Sequence, residues 1–329
     1  MDNRSCLAPQ DMVATVLPPV MIVEFLLGLP GNVMALWIFC CHLQAWRSNT
    51  VYLVNLMMAD FLLLAGLPLR IDTLLRGENW VFGDSLCRIN LFILTVNRSA
   101  SISFMTIVAV DRYFKVVHPH HPANRMTARQ AGLVAGAVWA AVVLVRVPLL
   151  SNRLLWNHGN QTLCRSFSSG WALSAGMWLH YVMYLVEFFL PFLLLVFCAT
   201  RIVCTLRLRG LDRGLQGRQV QRAVRVLLLI VAVFTLCFLP GVAIYLTGLI
   251  VSWLWPQDCE AYLLLAQLFS LSLGFTYLNS ALDPLIYCFS SSTYRDGLRT
   301  SINAVGFFRL NLGHRGSAAS VRRENQPPS

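Results

Sequence analysis

Charge is what this chain has least of. Only 12% of its 329 residues are Asp, Glu, Lys or Arg, while 57% are hydrophobic. A soluble domain carries about 25% charged residues, so a water-exposed globule is excluded and a polytopic membrane protein is indicated. Lysine is almost absent, with Lys115 the sole example. The net charge of +11 therefore comes from arginine. Those arginines gather in short loops, which marks membrane topology and not nucleic-acid binding. The ten cysteines are too few and too scattered for a disulfide framework. Neither His-Glu-x-x-His nor Gly-x-Ser-x-Gly occurs, and no serine–histidine pair stands at membrane depth, which argues against an intramembrane hydrolase. No internal repeat with broken helices at matching positions is visible. That argues against an organic-anion transporter, the rival use of a buried arginine. Residues 1–15 have no basic region leading into an apolar core, so no cleavable signal peptide is expected.

What is present is a series of seven apolar runs, each long enough to cross a bilayer as a helix. They cover roughly 17–41, 51–75, 87–119, 131–150, 175–206, 223–251 and 261–288. Residues 291–310 then alternate polar and apolar positions at helical spacing, with Tyr294, Leu298, Ile302 and Val305 on one face. The predicted fold is an all-α membrane protein, a seven-helix bundle with a short amphipathic eighth helix. The predicted division is an extracellular N-terminus at 1–15, a transmembrane domain at 16–290, an amphipathic helix at 291–310 and a disordered cytoplasmic tail at 311–329. Ser317 and Ser320 in that tail, near Arg322 and Arg323, are candidate kinase sites. No cysteine follows Cys288, so no palmitoyl anchor is expected beyond the last span. Arg47, the pair Arg125 and Arg129, and the Arg207–Arg222 cluster occupy alternate loops, which places those loops in the cytoplasm and the N-terminus outside. The sequons at Asn3 and Asn160 fall on the external side in agreement.

Each charge inside a span costs about 2.5–3.5 kcal/mol on insertion scales and needs a reason. The residues singled out are Glu24, Asp60, Arg70, Arg98, Asp111, Arg112, Arg146, Glu187 and Asp283. Arg70 and Arg146 lie near span ends, where a long side chain reaches the interface. Asp60 and Arg98 have no such exit. Arg98 sits roughly 16 Å along its helix from Cys87, and Arg112 roughly 21 Å further. A guanidinium is always charged and grips a carboxylate through two parallel bonds. Arg98 is therefore read either as a ligand anchor or as the partner of an internal acid: Glu24, Asp72 or Glu187. The loop histidines His118, His120 and His121 sit beside prolines with no acid or thiol near, which argues against a metal site.

The third span ends in Asp111-Arg112-Tyr113. Gly31-Asn32, Asn55-Leu56, Ala59-Asp60, Cys87, Trp139, Pro191, Cys237-Phe238-Leu239-Pro240 and Asp283-Pro284-Leu285-Ile286-Tyr287 complete an ordered set, span by span. In this the chain resembles rhodopsin-like (class A) G-protein-coupled receptors over roughly residues 16–305. Asn97-Arg98-Ser99, the run Tyr113 to His121, Glu187-Phe188-Phe189-Leu190-Pro191, Phe275 to Ser280 and Tyr287-Cys288-Phe289-Ser290-Ser291 resemble the hydroxycarboxylic acid and oxoeicosanoid receptors.

That resemblance implies an extracellular carboxylate ligand held by Arg98, an inhibitory G protein, arrestin as a further partner, lowered cyclic AMP and a plasma-membrane location. It implies that Ser166, Phe167, His180 and Tyr277 line the pocket; packing between helices is the other reading of Tyr277. Arg70 is implied as a second cation, with interfacial snorkelling as its other reading. Short-acid members carry an arginine where Tyr245 stands, so the ligand implied here is longer and more lipid-like. Leu94 stands where amine receptors carry aspartate, and span seven has no lysine for a retinal Schiff base. Asp111, Arg112, Tyr113, Pro240, Asp283, Pro284 and Tyr287 are implied in G-protein coupling. Ile102, Pro191 and Phe234 match the family's packing switch, with Phe238 in place of the commoner tryptophan; all four are equally readable as core. Asp60, Ser101, Asn279 and Asp283 correspond to an allosteric sodium site, and no other cofactor is implied. The resemblance pairs Cys87 with Cys164. Cys6 and Cys259 remain on the external side and are paired by elimination, leaving the other cysteines as free thiols.

Overall fold

The computed structural model describes residues 11–41, 46–152, 154–166, 175–208, 215–255 and 258–304. Seven long helices dominate: α1 (Asp11–Cys41), α2 (Ser48–Leu75), α3 (Gly83–Val117), α4 (Ala128–Ser151), α5 (Ala175–Leu208), α6 (Leu215–Leu254) and α7 (Cys259–Ser290). A shorter α8 (Ser292–Ala304) follows. All seven long helices are long and apolar enough to cross a membrane. Inside a bilayer every backbone N–H and C=O must be satisfied within the chain, which is why such runs become helices. The chain is an all-α, multi-pass membrane protein.

α3 is the hub, packing against α2, α4, α5 and α6. Its inward face carries residues that are polar yet buried, and these clamp neighbours through their backbones. Asn90 Nδ2 donates to Gly66 O at 2.8 Å and Asn97 Nδ2 to Ala59 O at 2.8 Å. Trp139 on α4 donates to Asn55 on α2 at 2.8 Å, and Asn32 on α1 reaches Ser280 O on α7 at 2.9 Å. Hydrocarbon offers no competing water, so these bonds help fix how the helices meet. Gly31 lets α1 approach α7 closely; a Cβ there would lie 2.9 Å from Pro284 Cγ.

α1 starts at Asp11, inside the stretch read from sequence as a polar leader. The reason is packing: Val13 and Leu17 are buried against Leu63, Leu67 and Tyr277. On α8, Tyr294 is buried and meets the rings of Phe39 and Tyr287 at 5.9 and 6.0 Å, while Leu298 packs on the same core. The side chain of Ile302, and Val305, lie outside the described residues.

The loop before α5 contains a hairpin that the sequence reading missed. Strand β1 (Leu155–His158) pairs antiparallel with β2 (Gln161–Cys164). Its turn is Gly159-Asn160, with Gly159 at φ +58°, and such two-residue turns favour glycine and asparagine. The hairpin is pinned from three directions. Cys164 is disulfide-bonded to Cys87, as expected. Trp80 N donates to Thr162 O at 2.7 Å, and Thr162 N to Asn79 Oδ1 at 3.0 Å. Arg165 pairs with Glu78, a buried residue at φ +66°. Cys259 is also in a disulfide, and its expected partner Cys6 lies outside the described residues. Cys40, Cys41, Cys198, Cys204, Cys237 and Cys288 are free thiols. Losing a loop-closing disulfide typically costs about 2–4 kcal/mol. Cys164→Ser is expected to lower the melting temperature of the detergent-purified protein and its surface display; unchanged melting would show that the other two ties suffice.

Candidate functional site

Arg98 points from α3 toward α5, and Glu187 is its partner. Arg98 Nη1 lies 3.1 Å from Glu187 Oε2, and Nη2 donates to Tyr184 O at 3.4 Å. Its guanidinium also lies 4.0 Å from the centroid of the Tyr184 ring and 5.7 Å from that of Phe238. The other two acids considered from sequence are not partners: Asp72 holds Arg76 at 2.7 Å, and the buried Glu24 has an unpaired Oε2.

Arg146 corrects the sequence reading outright. Its place near the end of α4 suggested an interfacial side chain, but it is 2% exposed. α5 packs against α4 here and supplies acceptors that a membrane interface would otherwise have to provide. Arg146 Nη2 lies 2.5 Å from Glu187 Oε2, and Nη1 lies 3.0 Å from His180 Nδ1. Its Nε and Nη2 donate to Ser99 Oγ at 3.2 and 2.9 Å, and Ser99 Oγ donates to Glu187 Oε1 at 2.8 Å. A guanidinium has only donors, so His180 Nδ1 accepts and the ring is neutral, with its proton on Nε2. The result is two guanidinium groups sharing one carboxylate between α3, α4 and α5.

A cavity of about 60 Å³ adjoins this cluster, lined on its polar side by Arg98, Arg146, His180, Ser166, Tyr184 and Tyr277. Leu91, Leu94 and Leu273 form its apolar wall. At about 10–15 Å³ for one water-sized probe, that is room for a few waters or a carboxylate headgroup. Four residues singled out from sequence therefore meet here: Arg98, Ser166, His180 and Tyr277. Two do not line the cavity. Tyr245 packs one layer out, its ring centroid 5.3 Å from that of Tyr184 in an edge-on contact and 6.1 Å from that of Tyr181. Arg70 is buried and not snorkelling, with Nη1 3.5 Å from Cys164 O. Phe167 lies outside the described residues.

Below the cavity, Phe238 meets Phe234 at 5.2 Å, and Phe234 stacks on Phe188 at 5.5 Å beneath Pro240. Further along, Tyr287 donates to Asp60 Oδ2 at 2.7 Å and Asn279 Nδ2 to Asp283 Oδ2 at 3.1 Å. That leaves Asp60 Oδ1, Ser101 Oγ, Asn279 Oδ1 and Asp283 Oδ1 buried without protein partners. Asp60 and Asp283 also interact electrostatically. Such a set of hard oxygen donors with adjacent carboxyls fits a small hard cation such as sodium. No group of three His, Cys, Asp or Glu side chains suited to a metal occurs among the described residues.

At the far end of α3 the expected Asp111–Arg112 pair is loose, at 3.9 Å, while Lys115 holds Asp111 at 2.7 Å. Lys115 was not expected as the partner of Asp111, although its spacing of four is that of a helical ion pair. Tyr113 OH lies 3.1 Å from His118 Nε2.

The family described as "7 transmembrane receptor (rhodopsin family)" matches residues 31–287. Human oxoeicosanoid receptor 1 is 46% identical over 284 residues, covering 86% of this chain and 71% of that protein. Mouse hydroxycarboxylic acid receptor 1 is 44% identical over 293 residues, 88% of this chain and 82% of the relative. Human hydroxycarboxylic acid receptor 2 is 42% identical over 305 residues, 92% and 81% respectively. The chain belongs to the rhodopsin-like, class A family of G-protein-coupled receptors, within the hydroxycarboxylic acid and oxoeicosanoid receptor group. It is a receptor, not an enzyme.

Ser99 stitches the charge cluster together. Hydrogen bonds to charged groups contribute about 1.5–3 kcal/mol. Ser99→Ala is expected to lower the melting temperature of the purified receptor by that scale of stability; an unchanged melt would mean the arginine–glutamate contacts hold without it.

Proposed function

We propose that this receptor responds to an extracellular carboxylate, an oxoeicosanoid-like fatty acid or a hydroxycarboxylic acid, and signals through an inhibitory G protein to lower cyclic AMP. It does so at the plasma membrane with its N-terminus outside and its arginine-rich loops in the cytoplasm. The observation that carries the reading is the Arg98 guanidinium: fixed at membrane depth, beside a cavity, with its Nε unpaired. The names of the relatives, hydroxycarboxylic acid and oxoeicosanoid receptors, support the ligand class. Tyr245, in an aromatic wall with Tyr181 and Phe269, suits a hydrocarbon tail better than a second charged group.

Ligand binding biases an existing equilibrium only by its differential affinity for the two states. Arg98 lies against Phe238, so a carboxylate drawn to Arg98 acts on the Phe238–Phe234–Phe188 stack. α6 then swings at Pro240, and its cytoplasmic end parts from α3. Arg112, already loosely tied to Asp111, turns to the G protein; arrestin is the second partner of that opened face. Asp111, Tyr113, Asp283, Pro284 and Tyr287 belong to the same coupling path. Asp60, Ser101, Asn279 and Asp283 are the residues that would hold sodium, whose charge would offset the paired carboxylates in the resting receptor. Tyr277, Ser166 and His180 line the site, and Arg70, outside the cavity, steers the approaching anion.

The test is inhibition of cyclic AMP by a carboxylate panel running from lactate to oxidised arachidonate. Losing one partner of a buried charged pair costs about 2–5 kcal/mol, so Arg98→Ala is expected to weaken potency about 100-fold or more at equal surface expression. A response left intact would remove Arg98 as the anchor. Sodium is expected to lower agonist affinity in the native receptor and to have no effect in Asp60→Asn; an equal sodium effect in both would remove the cation site.

A further inference from the structure

Two positive side chains line the cavity, and one negative side chain behind them is shared by both. Arg98 and Arg146 face the space; Glu187 does not line it. Glu187 is held at 3.1 Å by Arg98, at 2.5 Å by Arg146 and at 2.8 Å by Ser99. His180, the remaining ionisable group of basic type on the lining, is neutral because its Nδ1 accepts from Arg146. Arg70 and Glu24 interact with Tyr277 but neither lines the cavity. The formal balance at the cavity is therefore two cations and one anion. One positive charge is left over in a low-dielectric setting, where uncompensated charge is costly.

We propose that Glu187 and Arg146 set the charge of the accepted ligand, making this a site for a monoanion that discriminates against dianions. The inference rests on the carboxylate reading of Arg98 and adds the specificity-determining pair behind it. A monocarboxylate neutralises the surplus charge without displacing Glu187, because three donors already hold Glu187 outside the cavity. Arg98 itself lines the cavity, so its guanidinium is the group a ligand carboxylate meets. A second carboxylate on the same ligand finds no second unneutralised cation on the lining, and its charge stays desolvated. Arg146 does not need to touch the ligand; its part is to hold Glu187 so that the net charge of the cluster is +1.

Octanoate and octanedioate, equal in chain length, are the probes. Binding is read as ligand-dependent thermal stabilisation of purified, surface-expressed receptor. The native receptor is expected to prefer octanoate over octanedioate by about tenfold or more. Glu187→Gln raises the cavity charge by one unit and is expected to shift the ratio toward octanedioate by about tenfold. Arg146→Gln removes the surplus charge and is expected to weaken octanoate binding by about tenfold. The double variant Glu187→Gln/Arg146→Gln restores the single surplus charge and is expected to regain the preference for octanoate. It is also the charge-balanced variant, so it and Arg146→Gln decide the matter should Glu187→Gln fail to reach the membrane. A double variant with no preference, Glu187→Gln with the native ratio, or Arg146→Gln with native octanoate affinity overturns the proposal. Arg98→Ala separates the two readings. If it leaves octanoate binding intact, the carboxylate reading itself fails. If it abolishes binding while the double variant shows no recovery, only the charge-balance inference fails.

Discussion

A single carboxylate, Glu187, makes it possible for this bundle to keep two guanidinium groups at membrane depth. Arg98 on α3 and Arg146 on α4 both close on it from within 3.1 Å, and Ser99 completes the knot. Buried ion pairs contribute little net stability, because desolvation offsets the attraction, yet removing one partner is strongly destabilising. The consequence here is positional. Three helices are locked in depth and rotation at one point, and the cavity beside that point inherits its polarity from them. The polarity of the cavity thus follows from a requirement of folding in lipid: charges that enter must be matched.

From that knot a continuous run of contacts leads inward. The guanidinium of Arg98 lies against Phe238, and Phe238, Phe234 and Phe188 are successive ring contacts. The Asp60–Tyr287 bond and the unpaired oxygens around it mark a second polar centre in the same bundle. At the far end of α3, Lys115 has taken Asp111 from Arg112. Each centre is a place where polar groups are incompletely matched in the resting packing, and each is therefore sensitive to a change of partner. The aromatic packing between them is dense and resists small deformation.

The architecture was legible in the sequence because lipid leaves few options. Low charge, long apolar runs and arginine-rich loops dictate seven helices and their alternation. Arg98 was legible for the same reason, since a charge deep in a span demands an explanation. What stood beyond reach was rotation and neighbour choice. Arg146 looked interfacial because its distance from the helix end was visible and the packing of α5 against α4 was not. Glu187 appeared among three candidate acids, and sequence separation alone did not choose between them. The hairpin at 155–164 carried a real signal, Gly159-Asn160 between the short segments Leu155–His158 and Gln161–Cys164, which the length of the surrounding loop concealed. The Lys115–Asp111 pair was legible in principle from its helical spacing, but Arg112 stands next to the same carboxylate and spacing alone does not rank the two cations. Arg70 shows the converse: a residue rightly marked as unusual, yet set outside the cavity by the hairpin that covers it.

The most direct measurement is an experimental structure of the receptor with octanoate bound. The ligand carboxylate is expected within hydrogen-bonding distance of the Arg98 guanidinium, with Glu187 still held by Arg146 and Ser99. A carboxylate bound elsewhere, with Arg98 and Glu187 closed on each other and the cavity empty, would contradict it.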